Sequence, residues 1–311
     1  MLDLDRLRAL NAIAEYGSVS AAADVLGITT SAVSQQIAKL ERETCARLLE
    51  RSGRGVRLTD PARLLVGHAA RILALMAEAE ADLEARLGSV AGRVSVAAFA
   101  TAARGVMPGV IGALAARHPG LTVELTESDP LVSLELVRRG EHDVALVQDW
   151  RNSPLPLPAG LDRVHLFDDP AEIALPAGHP LADRAELVLP DLGDEVWICS
   201  PQGSICHDWL TDTLRRAGVE PRVAHYAGEL PTQLALVAAG LGCALLPRLA
   251  RERLPDGVVT LPLRPRLERG VHAVWRREDG RRPVVRATVA ELREAVGRLE
   301  GALPPVAAAT P

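Results

Sequence analysis

Thr30, Ser31, Ser34, Gln35, Lys39 and Arg42 are interleaved with Val33, Ile37 and Leu40. If this stretch is helical, the aliphatic residues at i, i+4 and i+7 form a buried stripe and the polar ones take the other side. That polar side carries small hydroxyls near its start, so the helix could lie deep in a groove. The Gln35 carboxamide both donates and accepts, as a bidentate pair with adenine N6 and N7 requires, and Lys39 and Arg42 belong to the same contact face. Arg51, Arg54 and Arg57 follow, loosened by Gly53 and Gly55, and could neutralise phosphates beside such a helix. The same residue types would also serve as an ordinary solvated face and loop.

Other groups offer less. Cys199, Cys206 and His207 invite a redox or metal sensor, but their spacing matches no zinc signature, and a buried cysteine is more often a small hydrophobe. No Gly-x-Ser-x-Gly, HExxH, P-loop or dinucleotide fingerprint occurs, and Gly240-Leu241-Gly242 precedes a strand instead of following one. The expectation is therefore a protein that is not an enzyme, with no catalytic residues, no cofactor and no metal.

The elements that must position these groups fall into three zones. Gly17-Ser18 and Gly27 punctuate short helices before the polar face, with Thr29 or Thr30 as the next cap. Pro61 to Leu87 reads as one long helix, capped by Thr59 or Asp60 and stopped at Gly88. Its heptad seam of Leu65, Ala69, Ile72, Met76, Ala79 and Leu83 is suited to a partner helix, or alternatively to a core. Beyond it strands alternate with helices, a parallel α/β pattern that restarts after the proline-rich stretch 153–158.

Composition limits the function. The net charge is −5 over 311 residues, which argues against a protein that coats nucleic acid generally. Residues 1–59 hold eight basic and seven acidic side chains, so any nucleic-acid contact must be local. Scattered cysteines and a start without a basic, apolar leader predict a reducing cytoplasm, and no apolar run approaches a membrane span.

Leu10, Gly17-Ser18, Ala22-Ala23, Leu26, the run Ser31-Ala32-Val33-Ser34-Gln35-Gln36-Ile37, Leu40-Glu41, Leu48 to Arg51 and Val56 to Thr59 together resemble the LysR-type transcriptional regulators. The resemblance spans essentially the whole chain. It implies an α/β protein overall: an N-terminal winged helix-turn-helix (1–59), a long linker and dimerisation helix (60–88) and a two-lobed effector domain resembling type 2 periplasmic-binding proteins (92–300). Lobe I is expected at about 92–160 and 268–300, lobe II at about 161–267, and a flexible tail at 301–311. Implied partners are double-stranded operator DNA, a small-molecule effector whose anionic character stays open, and further copies as a homodimer through the linker helix and a homotetramer. Thr101 and the segment Ser200 to Ser204, with Gln202 and Gly203, match positions that line the effector cleft, joined by Gln148 and Glu229. Each of the hydroxyls could equally be a helix cap. Cys45 departs from a usual glycine, Leu49 from phenylalanine and Pro61-Ala62 from Ala-Gly.

Overall fold

Two hydroxyls set the start of the molecule. Ser18 Oγ accepts the Ala21 N–H and Thr29 Oγ1 the Ala32 N–H, each at 3.1 Å, so both side chains satisfy a donor that a helix leaves unpaired. The helices they open are α2 (Val19–Leu26) and α3 (Thr30–Thr44), after α1 (Leu4–Tyr16). The choice of cap between Thr29 and Thr30 falls to Thr29, which leaves Thr30 exposed as the first helical residue. Strands β1 (Leu49–Ser52) and β2 (Gly55–Leu58) pair antiparallel as a wing, and α4 follows over Asp60–Leu87. The computed structural model describes residues 2–52, 55–87, 90–250 and 254–302. Gly53, Arg54, Gly88 and the tail from 303 lie outside the described residues, as does the side chain of Arg51.

The chain divides into two compact units, Met1–Arg86 and Leu87–Pro311. In the first, Leu7, Leu10 and Ile13 of α1 pack with Val33, Ile37 and Leu40 of α3, and α4 closes over them with Ala62 and Ala69. Leu65 joins this cluster too. The expected seam is therefore corrected: Leu65 and Ala69 belong to the helical core, and the large apolar side chains exposed on α4 among the described residues are Leu64, Ile72, Leu75 and Leu83. Glu41 ties α3 to the wing by accepting the Leu48 and Leu49 N–H groups at 2.8 and 3.3 Å.

Cys45 ends α3 in the left-handed region, φ +49°, a conformation that costs a Cβ-bearing residue and that glycine adopts freely. Cys45→Gly should therefore stabilise the first unit by about 1 kcal/mol. Thermal unfolding followed by circular dichroism checks this, and a lower midpoint would contradict the strain argument.

The second unit is built on β3 (Gly92–Ala98), α5 (Ala100–Gly105), α6 (Met107–Arg117), β4 (Leu121–Glu127), α7 (Pro130–Arg138), β5 (Val144–Trp150) and β6 (Leu161–Pro176). There follow β7 (Val196–Cys199), α8 (Ile205–Arg216), β8 (Arg222–Tyr226), α9 (Leu230–Ala238), β9 (Ala244–Pro247), β10 (Val258–Arg276) and α10 (Pro283–Ala302). One mixed sheet runs β4-β3-β5-β10-β6-β9, and β7 and β8 form a parallel pair. β6 and β10 are long because they pair antiparallel through both lobes, from Arg276↔Leu161 to Val258↔Pro176.

That pairing moves one expected boundary. Val164 and Phe167 of β6 pack with Val94, Val96 and Val271 in one core, whereas Ala171, Ile173 and Leu175 pack with Leu187, Trp197 and Leu261 in another. The chain thus changes lobe within β6, between Phe167 and Ala171, and not at residue 161. The sequence break at 153–158 marks a loop, but the first half of β6 still hydrogen-bonds along lobe I. At its other end, α10 extends through Ala302, past the expected limit of 300.

Candidate functional site

On α3 the stripe Val33, Ile37 and Leu40 is fully or nearly buried, and Thr30, Ser31, Ser34, Gln35, Lys39 and Arg42 are all exposed. Ser34 Oγ donates to Thr30 O at 2.8 Å and Arg42 Nε to Ala38 O at 3.3 Å, interactions within the helix that solvent-facing groups can exchange for others. The Gln35 carboxamide stands at the middle of this face. On the wing, Arg57 pairs with Glu50 at 2.8 Å with both side chains largely exposed, so an anionic partner would compete for it.

The second site is a cavity of about 260 Å³ between the two lobes of the C-terminal unit. Lobe I lines it with Phe99, Ala100 and Thr101 after β3, Glu127 to Pro130 after β4, and Gln148 of β5. Lobe II contributes Cys199, Ser200, Pro201, Ser204, Ile205 and Cys206 at the start of α8, with Trp209, Leu210 and Gln233. Parallel strands end here and helices begin, which is where α/β folds generally hold ligands.

Arg269, 2% exposed, organises the floor. Its Nε and Nη2 reach Asp169 Oδ2 at 2.8 and 2.7 Å, Nη2 donates to Thr101 Oγ1 at 2.8 Å, and Nη1 donates to Gln148 Oε1. Its guanidinium also lies 5.1 Å from the centre of the Phe99 ring. Gln148 turns its Nε2 to Cys206 Sγ at 3.1 Å. On the opposite wall Trp150 and Trp209 stack with ring centres 3.5 Å apart and planes 4° from parallel. Asn152 accepts the Trp209 indole N–H at 2.6 Å and holds the stack in place.

Of the residues expected at this cleft, Thr101, Gln148, Ser200 and Ser204 line it. Ser204 also caps α8, its Oγ accepting the His207 N–H at 3.3 Å, so one hydroxyl does both jobs. Gln202, Gly203 and Glu229 do not line it. Gln202 is exposed and donates to the Tyr226 hydroxyl at 3.0 Å, Gly203 takes a left-handed turn at φ +80°, and Glu229 is an exposed residue before α9 whose neighbours Gly228 and Leu230 line the wall instead. Arg269, Asp169 and the tryptophan pair carry no local motif and were not expected. Arg269 stands in a strand that also carries Arg264, Arg266, Glu268, His272 and Arg276, so its sequence context did not single it out.

The cleft thiols are held protonated. Burial pushes Cys199 up to about 12, and burial raises Cys206 as well, with the Asp129 carboxylate adding to the effect and Arg269 opposing it.

A helix-turn-helix with a wing and an exposed polar reading helix, coupled to a two-lobed domain with an internal cleft, defines a ligand-responsive DNA-binding regulator of transcription. Residues 4–63 match the model of the bacterial regulatory helix-turn-helix protein, lysR family, and residues 87–297 match that of the LysR substrate binding domain. The chain belongs to the LysR family of transcriptional regulators. A probable hydrogen peroxide-inducible genes activator of Mycobacterium avium is 33% identical over 286 residues, 88% of each chain. The transcriptional dual regulator GltC of Bacillus subtilis (strain 168) is 30% identical over 275 residues, 87% of this chain and 89% of that one. Among solved structures, a Corynebacterium glutamicum OxyR mutant with H2O2 bound superposes with a TM-score of 0.62 at 25% identity, covering 99% and 98% of the two chains. Full-length CbnR complexed with its target DNA gives 0.53 at 25% identity, covering 95% and 100%. No described helix is long and apolar enough to cross a membrane.

Proposed function

We propose that the chain reads an operator in double-stranded DNA with the exposed face of α3, and that a small molecule in the interlobe cleft biases that reading. The observation that carries the first half is the division of α3 into a buried aliphatic stripe and a wholly exposed polar face. In this reading Ser31 and Gln35 meet base edges, Thr30, Ser34, Lys39 and Arg42 meet bases or phosphates, and Arg51, Arg54 and Arg57 neutralise the backbone beside them. Effector binding would change the angle between the lobes and, through the linker helices of a dimer, the bending of the DNA. Two dimers acting together would form a homotetramer. The protein acts by binding, without catalysis, and in the cytoplasm where the DNA is.

The test is operator selection from a random DNA pool with wild type and Gln35→Ala. Preference at one base position should fall by about 1 to 3 kcal/mol, with little change elsewhere. An unchanged selected sequence would remove Gln35 from the reading face.

An anion would find the N-terminus of α8 in this cleft, where Ser204 already serves as cap. The side chains lining the cavity favour the opposite charge, since its one arginine among the described residues is already paired with Asp169.

A second reading, response to peroxide, is favoured by the name of the Mycobacterium avium relative and by two thiols in one cleft. Chemistry opposes it, because the thiolate is the reacting species and a thiol near 12 is ionised in roughly one molecule in 100,000 at neutral pH. Peroxide treatment followed by thiol trapping and mass spectrometry should show exposed Cys45 modified first and Cys199 and Cys206 still reduced. A disulfide between Cys199 and Cys206 would establish the peroxide reading.

A further inference from the structure

The cavity between the lobes has an uneven charge. Arg269 is the one basic side chain lining it among the described residues, and that charge is already met: Asp169, itself 2% exposed, takes two of its donors, while Gln148 and Thr101 take others. An anionic ligand would have to displace Asp169 from a buried ion pair to reach an uncompensated cation.

The carboxylates at the other side of the cleft are in the opposite condition. Glu127 ends β4 and is exposed, and Asp129 follows it before α7. Both line the cavity, and neither enters an ion pair among the described residues. Asp129 Oδ1 accepts the Leu131 N–H at 3.0 Å, which fixes the carboxyl in place and leaves its second oxygen without a protein donor. Asp129 also stands close enough to Cys206 to raise its thiol, so its field reaches across the cleft. The field inside the cavity is therefore set by two open carboxylates and a guanidinium already neutralised.

Trp150 forms part of the apolar wall. It lines the cavity at 1% exposure, and its indole N–H has no hydrogen-bond partner among the described residues. The stacked Trp150 and Trp209 and the Phe99 ring supply flat apolar walls that also favour a cation over their faces. The cavity of about 260 Å³ has room for roughly nine water-sized groups at about 30 Å³ each, the scale of a single ring with a short arm.

We propose that the effector is a small amphiphilic cation, a single-ring aromatic body bearing a protonated amine that meets Glu127 and Asp129. This rests on the reading of the cleft as the effector site. The amine lies at the lobe I rim between the two carboxylates, the ring lies along the tryptophan wall, and closure of lobe II covers both.

Three molecules of one shape separate the possibilities: tyramine, its neutral alcohol tyrosol, and its anionic counterpart 4-hydroxyphenylacetate. With the full-length protein, calorimetric titration and selectively excited tryptophan emission should show tyramine binding at least about tenfold more tightly than 4-hydroxyphenylacetate, with tyrosol between them. The double change Glu127→Gln with Asp129→Asn should weaken tyramine about tenfold and leave tyrosol unchanged, a pattern that loss of folding cannot produce. Tighter binding of 4-hydroxyphenylacetate overturns the charge assignment and leaves the cleft as the effector site. Binding of tyramine that leaves operator affinity unaltered supports the charge assignment and overturns the effector reading. Binding of none of the three at millimolar concentration overturns both.

Discussion

Arg269→Ala should destabilise the C-terminal unit by about 3 to 5 kcal/mol, because it strands a buried carboxylate. Asp169 is 2% exposed, and with the guanidinium gone its one remaining donor among the described residues is the Leu249 N–H, at 2.8 Å. Gln148 and Thr101 lose their shared partner in the same step. All four tryptophans of the chain, Trp150, Trp197, Trp209 and Trp275, lie in this unit, so urea unfolding of the full protein followed by tryptophan emission reports on it selectively. The double change Arg269→Met with Asp169→Leu removes both charges and should recover most of the loss, since an ion pair of this kind is costly mainly when halved. A loss of under about 1 kcal/mol for Arg269→Ala would mean that water screens the pair as it does at a surface.

The same residue shows why the two sites differ so much in how well they could be read from the sequence. The reading helix is a local object: its caps, its glycine stops and its aliphatic stripe lie within about thirty residues, and each is imposed by backbone donors or helical period. Even its misfit, Cys45 at a glycine position, was visible, although the left-handed φ that explains it was not. The cleft is assembled from distant pieces. Arg269 and Thr101 are 168 residues apart, and nothing periodic announces that they touch. Trp150 and Trp209 meet only because β5 and α8 are brought to the same wall. Thr101 and the segment Ser200 to Ser204 entered through the family resemblance, which carries a stretch over whole, so Gln202, Gly203 and also Glu229 came with them although they do not line the cavity. The lobe boundary was missed for a related reason. A proline-rich loop suggests a domain break, but strand pairing between β6 and β10 carries lobe I further along the chain.

Breaking the exposed stripe on α4 should cost more function than any single change at the reading face. With Leu65 and Ala69 committed to the helical core, the apolar surface left among the described residues of this helix includes Leu64, Ile72, Leu75, Ala79 and Leu83, and the last four are spaced to lie on neighbouring faces. Ile72 is 39% exposed, Leu75 66% and Leu83 64%, apolar surface that pairing with a second helix would remove from water. The paired helices would supply affinity by tethering. Residues 1–59 hold one more basic than acidic side chain, so one head alone engages few phosphates and binds weakly. Two tethered heads turn the second contact into an intramolecular one, which multiplies affinity by about a hundred- to ten-thousand-fold. Leu75→Asp with Leu83→Asp should therefore give a monomer by sedimentation and lower operator affinity by that factor, with the folded reading helix unchanged by circular dichroism. The salt dependence of the residual binding should also fall to roughly half, because half as many phosphates are neutralised per complex. A variant that stays dimeric, or a monomer that binds as tightly as wild type, would show that α4 does not join the heads.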